Sequence, residues 1–180
     1  MNWRNYGIAL RFTAVFIGTY LALNLLYGWW VEWQSPEPDG MTRLVAGQCE
    51  SSLQLIGYEA RSIQTEGLPS IHLFNGDRLV LNVFEGCNGL NVMIVFLSFL
   101  AATARRWGTF AWYAAAGCVI LHVFNILRID LLFWLGDTSP NLFHYFHKYL
   151  FTATIYGVVF LLWWAWQVRF AKGSTPASYG

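Results

Sequence analysis

Four long apolar runs constrain this chain more than any other feature. They lie at about 8–30, 88–104, 109–135 and 149–168. Crossing ~30 Å of hydrocarbon takes about 20 helical residues. Each run approaches that length, and the second reaches it only if Asn88 and Asn91 also sit at membrane depth. The first is interrupted only by Arg11 and Asn24 and ends in Trp29 and Trp30. It is too long for a cleavable signal, and no small-residue cleavage site follows it. The sequence therefore predicts a mainly α, polytopic transmembrane bundle. Charge content agrees, since only 12% of residues are charged whereas soluble domains carry about 25%. A net charge of +1 offers no basic surface for nucleic acid.

The charges predict an orientation. Arg4 and Arg11 open the first run, Arg105 and Arg106 separate the second from the third, and Arg169 and Lys172 follow the fourth. No Asp or Glu falls at those sites, and all ten acidic residues fall in the other two loops or at adjoining helix ends. The positive-inside rule puts both termini and the tail 169–180 in the cytoplasm. The insert 31–85 and the loop 136–148 then face outward.

The insert is the one sizeable polar part. "SPEPDG" (35–40) reads as a turn or linker. Residues 42–56 read as an amphipathic helix, with Leu44, Val45, Leu53, Leu55 and Ile56 as its apolar candidates. Residues 71–84 read as a β-hairpin, two β-prone runs around Asn75, Gly76 and Asp77. Its second strand leads straight into "FEGCNGL" (84–90) and delivers Cys87 to the outer mouth of the second span.

Three cysteines occur, Cys49, Cys87 and Cys118, in no CxxC or metal-ligand spacing. Neither a metal nor a cofactor is expected. Cys118 falls mid-span among small residues and reads as packing. Cys87 differs. Gly86 and Gly89 permit a tight turn and close approach of a substrate chain, and a nearby helix N-terminus favours a thiolate. Arg128, in "NILRID", lies toward the outer end of the third run. An arginine at membrane depth costs ~2.5 kcal/mol or more. It either snorkels or pairs with Asp130, Asp137 or Glu85 as a structural tie, or it supplies a fixed charge to lower the thiol pKa or hold an oxyanion. His144 and His147 open the fourth run on the same side, three residues apart. His147 is preferred, and His72 and His122 are weaker candidates, His122 because it lies deeper than Arg128.

Taken in order, "FEGCNGL", then "NILRI", then a histidine opening the last span resemble the exosortase/archaeosortase family. The likeness covers roughly residues 79–165 and points to a compact exosortase, with the type F group of Bacteroidetes as a candidate. It implies a membrane cysteine transpeptidase with Cys87 as nucleophile and with Arg128 and His147 completing the catalytic trio. Glu85, Gly89 and Asn125 fall at flanking motif positions. Asn88 stands where the family usually has serine, and His144 is the alternative histidine. The resemblance further implies a substrate with a C-terminal sorting signal, namely a short motif, a transmembrane helix and a basic tail. The new carboxyl end would pass through a thioester to a lipid or surface acceptor. The site would lie on the extracytoplasmic side of the bacterial inner membrane. Two other readings stand beside it: a membrane scaffold or transporter subunit, in which Cys87 only packs, and a thiol oxidoreductase, which would pair Cys49 with Cys87.

Overall fold

The structure is a computed structural model that describes residues 3–139, 143 and 151–171. It is built from helices α1 (Trp3–Gln34), α2 (Gly40–Leu55), α3 (Leu90–Thr103), α4 (Trp107–Thr138) and α5 (Phe151–Trp166), the last followed by a π-turn. Strands β1 (Ala60–Gln64), β2 (Ser70–Asn75) and β3 (Arg78–Phe84) lie between α2 and α3. Among the described residues, two helices, over Tyr6–Gln34 and Trp107–Thr138, are long and apolar enough to cross a membrane. α3 is an apolar helix of 14 residues, and α5 has 16.

α3, α4 and α5 form one core. Val92, Met93, Phe96 and Leu100 of α3 meet Leu121 of α4 and Ile155, Val159 and Trp166 of α5. α1 lies along α3, with the rings of Phe16 and Phe99 4.7 Å apart. None of α1's apolar stretch is buried by the protein, so its outer surface is left for lipid.

The insert forms a second core on the C-terminal part of α4. The strands make an antiparallel meander in the order β1-β2-β3, so the expected hairpin is present and β1 extends it. Asn75 pairs with Arg78 across Gly76 and Asp77, and Gly76 takes the positive φ of +58° that this two-residue turn requires. A bulge at Val80 shifts the register between Leu73 and Phe74 and sets Val80 against Gly136 of α4. One sheet face, with Ala60, Ile71, Leu73 and Val83, is buried with Ile129 and Phe133 of α4. The remaining wall is α2.

α2 is capped by Asp39, whose side chain accepts from the Met41 and Thr42 backbone N–H groups. "SPEPDG" is therefore the start signal of a helix as well as a turn. The apolar face of α2 also differs from expectation. Thr42, Val45, Ala46, Cys49 and Leu53 are buried, whereas Leu44, Leu55 and Ile56 are exposed. Helical geometry explains the difference. Residues i, i+3 and i+4 share a face, Leu55 stands two residues past Leu53 on the other side, and Ile56 is already the C-cap.

Bundle packing is tight where α3 meets α4. A Cβ placed on Gly117 would lie 2.3 Å from the Phe96 ring, and Phe96 is fully buried. We predict that Gly117→Ala lowers stability by about 1–3 kcal/mol through overpacking. A second substitution, Phe96→Leu, should recover part of the loss. Gly157→Ala is the control, since nothing lies within 4 Å of its Cβ position. Thermal unfolding of the detergent-solubilised protein checks all three.

Candidate active site

β3 runs directly into a 3-10 turn over Glu85–Cys87, so the strand does deliver the cysteine to the head of α3. The turn tucks Cys87 into the insert core, where it is 7% exposed. Its carbonyl accepts a hydrogen bond of 2.8 Å from the Asn125 Nδ2 of α4. Gly89 makes that approach possible. It holds φ +83°, and a Cβ there would lie 3.0 Å from the Asn125 side chain. Asn125 in turn accepts from Arg128 Nη1 at 3.4 Å. One fully buried amide thus joins the cysteine turn to the arginine one helical turn away.

Arg128 is half-buried, and its Nε lies buried with no hydrogen-bond partner among the described residues. The ion pairs considered from sequence do not form. Among the described residues no carboxylate lies within 4.0 Å of Arg128. Asp137 instead pairs with Arg78 at 3.4 Å and accepts from Asn75 at 3.1 Å. Asp130 accepts from Ser52 Oγ at 2.7 Å and so ties α4 to α2. Glu85 is exposed, and its backbone oxygen accepts from the Tyr27 hydroxyl at 3.3 Å. Among the described residues, Arg128 is therefore bound by Asn125 and not neutralised by a carboxylate.

Asn88 is the organiser that sequence reading left open. Its Nδ2 donates to Tyr27 Oη at 2.8 Å, and Asp39 and Thr42 oxygens lie 3.3–3.4 Å away. Its Oδ1 accepts from the Leu90 N–H at 3.0 Å and so caps α3. α1, α2 and α3 all meet at this amide. Asparagine in place of serine therefore gives a longer side chain with two donor hydrogens, enough to span three helices. Tyr27, Asp39 and Thr42 were not singled out from sequence. The available signal was Asp39 at a cap position, two residues before Met41 and three before Thr42.

The electrostatics of the thiol depart from expectation. Burial pushes the Cys87 pKa above its ordinary 9.0, and this outweighs the charge of Arg128 and a backbone hydrogen bond at Phe84, which both lower it. The thiol lies in the turn before α3, two residues ahead of its N-cap Gly89. Cys49 is fully buried beneath the sheet, and its pKa is raised by burial first and by Asp130 second. Both thiols are free.

His144 and His147 lie outside the described residues. His122 meets the insert through Gln48 Oε1, 2.7 Å from its Nε2, so α2 covers it at a depth that the sequence alone assigned to the membrane. His72 lies on β2 between the inward residues Ile71 and Leu73, so it faces away from the core. Beside Arg128 an apolar groove of about 130 Å³ runs between α4 and α5, lined by Phe124, Leu127, Leu131, Thr154 and Ile155.

Two helices long and apolar enough to cross a membrane, packed with further apolar helices, suggest an integral membrane protein. Residues 3–165 match the transmembrane exosortase family, and the chain belongs to it. This is a family of membrane transpeptidases in protein sorting. No curated protein and no solved structure gives a match.

Two predictions follow from the geometry. Asn88→Ala removes donors from a buried carboxylate and should cost about 1–3 kcal/mol. Combined with Asp39→Ala it should cost less than the sum, with a coupling of at least ~0.5 kcal/mol in a double-mutant cycle read by thermal unfolding. Second, a raised thiol pKa keeps Cys87 protonated at neutral pH. Its alkylation should climb about tenfold per pH unit to beyond pH 9, because the thiolate is the reactive form. Arg128→Gln removes the opposing charge and should move that profile to still higher pH. Mass spectrometry of the Cys87 peptide reads both, and a plateau below pH 8 would contradict the assignment.

Proposed function

We propose that this exosortase is a cysteine transpeptidase of the bacterial inner membrane, with four spans, both termini inside and its site on the outer face. Its substrate is the C-terminal sorting signal of an exported protein. The observation that carries this reading is the Asn125 bridge, which holds the Cys87 backbone and the Arg128 guanidinium in one hydrogen-bonded unit. The apolar groove beside Arg128 suits the hydrophobic segment next to a scissile bond at the membrane surface.

The chemistry follows from the raised thiol pKa. A buried neutral thiol needs a proton acceptor as the sulfur attacks. His147 is assigned that role, with His144 as the alternative. The S–H proton passes to the histidine while the sulfur bonds the scissile carbonyl carbon. Arg128 stabilises the oxyanion that forms. The histidine then returns its proton to the leaving amine, and the acyl chain remains on Cys87 as a thioester. A lipid or surface acceptor loses its proton to the histidine, attacks the thioester and releases the thiol.

Cys87→Ala and Cys87→Ser should insert normally and process no substrate, read as the mobility shift of a co-expressed sorting-signal protein. Arg128→Gln should lower the turnover roughly 100- to 1,000-fold, the range for losing one oxyanion donor. Processing at the wild-type rate by Cys87→Ala would overturn the mechanism.

A further inference from the structure

The end of the bundle opposite Cys87 carries a cluster that the transpeptidase site does not use. Arg105, Arg106 and Arg169 line a cavity of about 300 Å³ together with Thr109, Trp166 and Phe170. Arg105 also borders a second cavity of about 400 Å³, which reaches Arg11 on α1. Three arginines from two parts of the chain thus line the first recess, and Arg105 borders both cavities.

Among the described residues no carboxylate lies within 4.0 Å of Arg11, Arg106 or Arg169. The first acid along α1 after Arg11 is Glu32, about 31 Å away at 1.5 Å per residue. The first along α4 is Asp130, about 36 Å from Arg106 by the same rise. Both separations exceed the Debye length of ~8 Å at physiological salt. Arg106 and Arg169 line the same cavity, where like charges repel and an anion between them removes that repulsion.

The backbone adds to the same field. α4 begins at Trp107 with Arg106 as its N-cap, with no side-chain cap and no acidic residue in its first turn. The first N–H groups of a helix have no intrahelical partner, and the positive end of a 32-residue helix points into the recess. Thr109, in that first turn, lines it. Phosphate groups are bound at such helix ends.

The floor is apolar. The Trp166 ring packs on Tyr113 at 5.2 Å and on Phe170 at 5.3 Å. Its Nε1 is already committed, donating to Thr103 Oγ1 at 3.0 Å. A basic rim over an aromatic floor, at the end of a helical bundle, suits a ligand with a phosphate at one end and apolar chains at the other.

We propose that this recess is a binding site for a phosphate-bearing anion, met in the membrane by the headgroup of an anionic phospholipid. Arg106 and Arg169 hold the phosphate, the first turn of α4 donates N–H groups, and Trp166 and Phe170 carry the apolar part. The site lies at the far end of α3 from Cys87, about 21 Å by helical rise. It therefore does not depend on the catalytic reading.

The test uses the full-length protein in phosphatidylcholine nanodiscs with and without phosphatidylglycerol. Native mass spectrometry counts the lipids retained, and thermal unfolding reads stabilisation. Retention of phosphatidylglycerol over phosphatidylcholine, with a higher Tm, is expected. Each arginine replaced in Arg106→Gln and Arg169→Gln should weaken retention roughly fivefold. Arg106→Lys/Arg169→Lys should keep most of it, which separates charge from folding damage. Inorganic phosphate forms a second arm. If it displaces the lipid and raises Tm alone, the phosphate site stands and its source is soluble. Equal retention of both lipids, full retention by the double Gln variant, or a lipid preference insensitive to salt would each overturn the proposal.

Discussion

The amide of Asn88 is the joint on which the insert and its cysteine turn depend. Asp39 is buried and has no cation beside it, so its carboxylate must be satisfied by donors alone. Two backbone N–H groups, Thr42 Oγ1 and Asn88 Nδ2 supply them. Leaving such a group unsatisfied costs more than forming any one of the bonds yields. The network therefore fixes where α2 starts, and α2 fixes where the sheet packs. The sheet's last strand then fixes the turn that carries Cys87. A second amide, Asn125, pins that turn from the other side. The thiol is placed by two asparagines that never touch it as reagents.

Burial and charge oppose each other at Cys87, and burial prevails in the resting protein. A thiol kept neutral and covered resists oxidation and stray alkylation at the membrane surface. In the mechanism proposed above, attack requires the sulfur's proton to move at the moment of reaction, the role given there to a histidine. In the same proposed mechanism Arg128 serves the oxyanion and not a standing thiolate.

Much of this was legible in the sequence. Residues 8–30 and 109–135 read as long helices because length and apolarity alone decide such segments. Gly76 marked its turn, and β3 led into the cysteine as its pattern implied. Cys87, Arg128 and Asn125 come together as their order suggested. What was not legible is tertiary. The face of α2 is selected by a sheet that lies later in the chain, so Leu44 and Leu55 looked as eligible as Ala46 and Cys49. The sign of the Cys87 shift depends on how completely the turn is covered, which spacing does not encode. Asp130 looked like a partner for Arg128 because the two are neighbours in sequence. On a helix, residues two apart point in different directions, and Asp130 meets Ser52 instead.

α4 belongs to both cores, with Leu121 in the bundle and Ile129 and Phe133 under the sheet. The insert therefore closes its interior only with the help of α4. Cut away from α4, the sheet and α2 would expose Val45, Leu53, Leu73 and Val83 on an open face. The polar part of this protein is not a soluble domain mounted on an anchor. It is packed onto the C-terminal part of a long apolar helix, whose Ile129 and Phe133 complete its core.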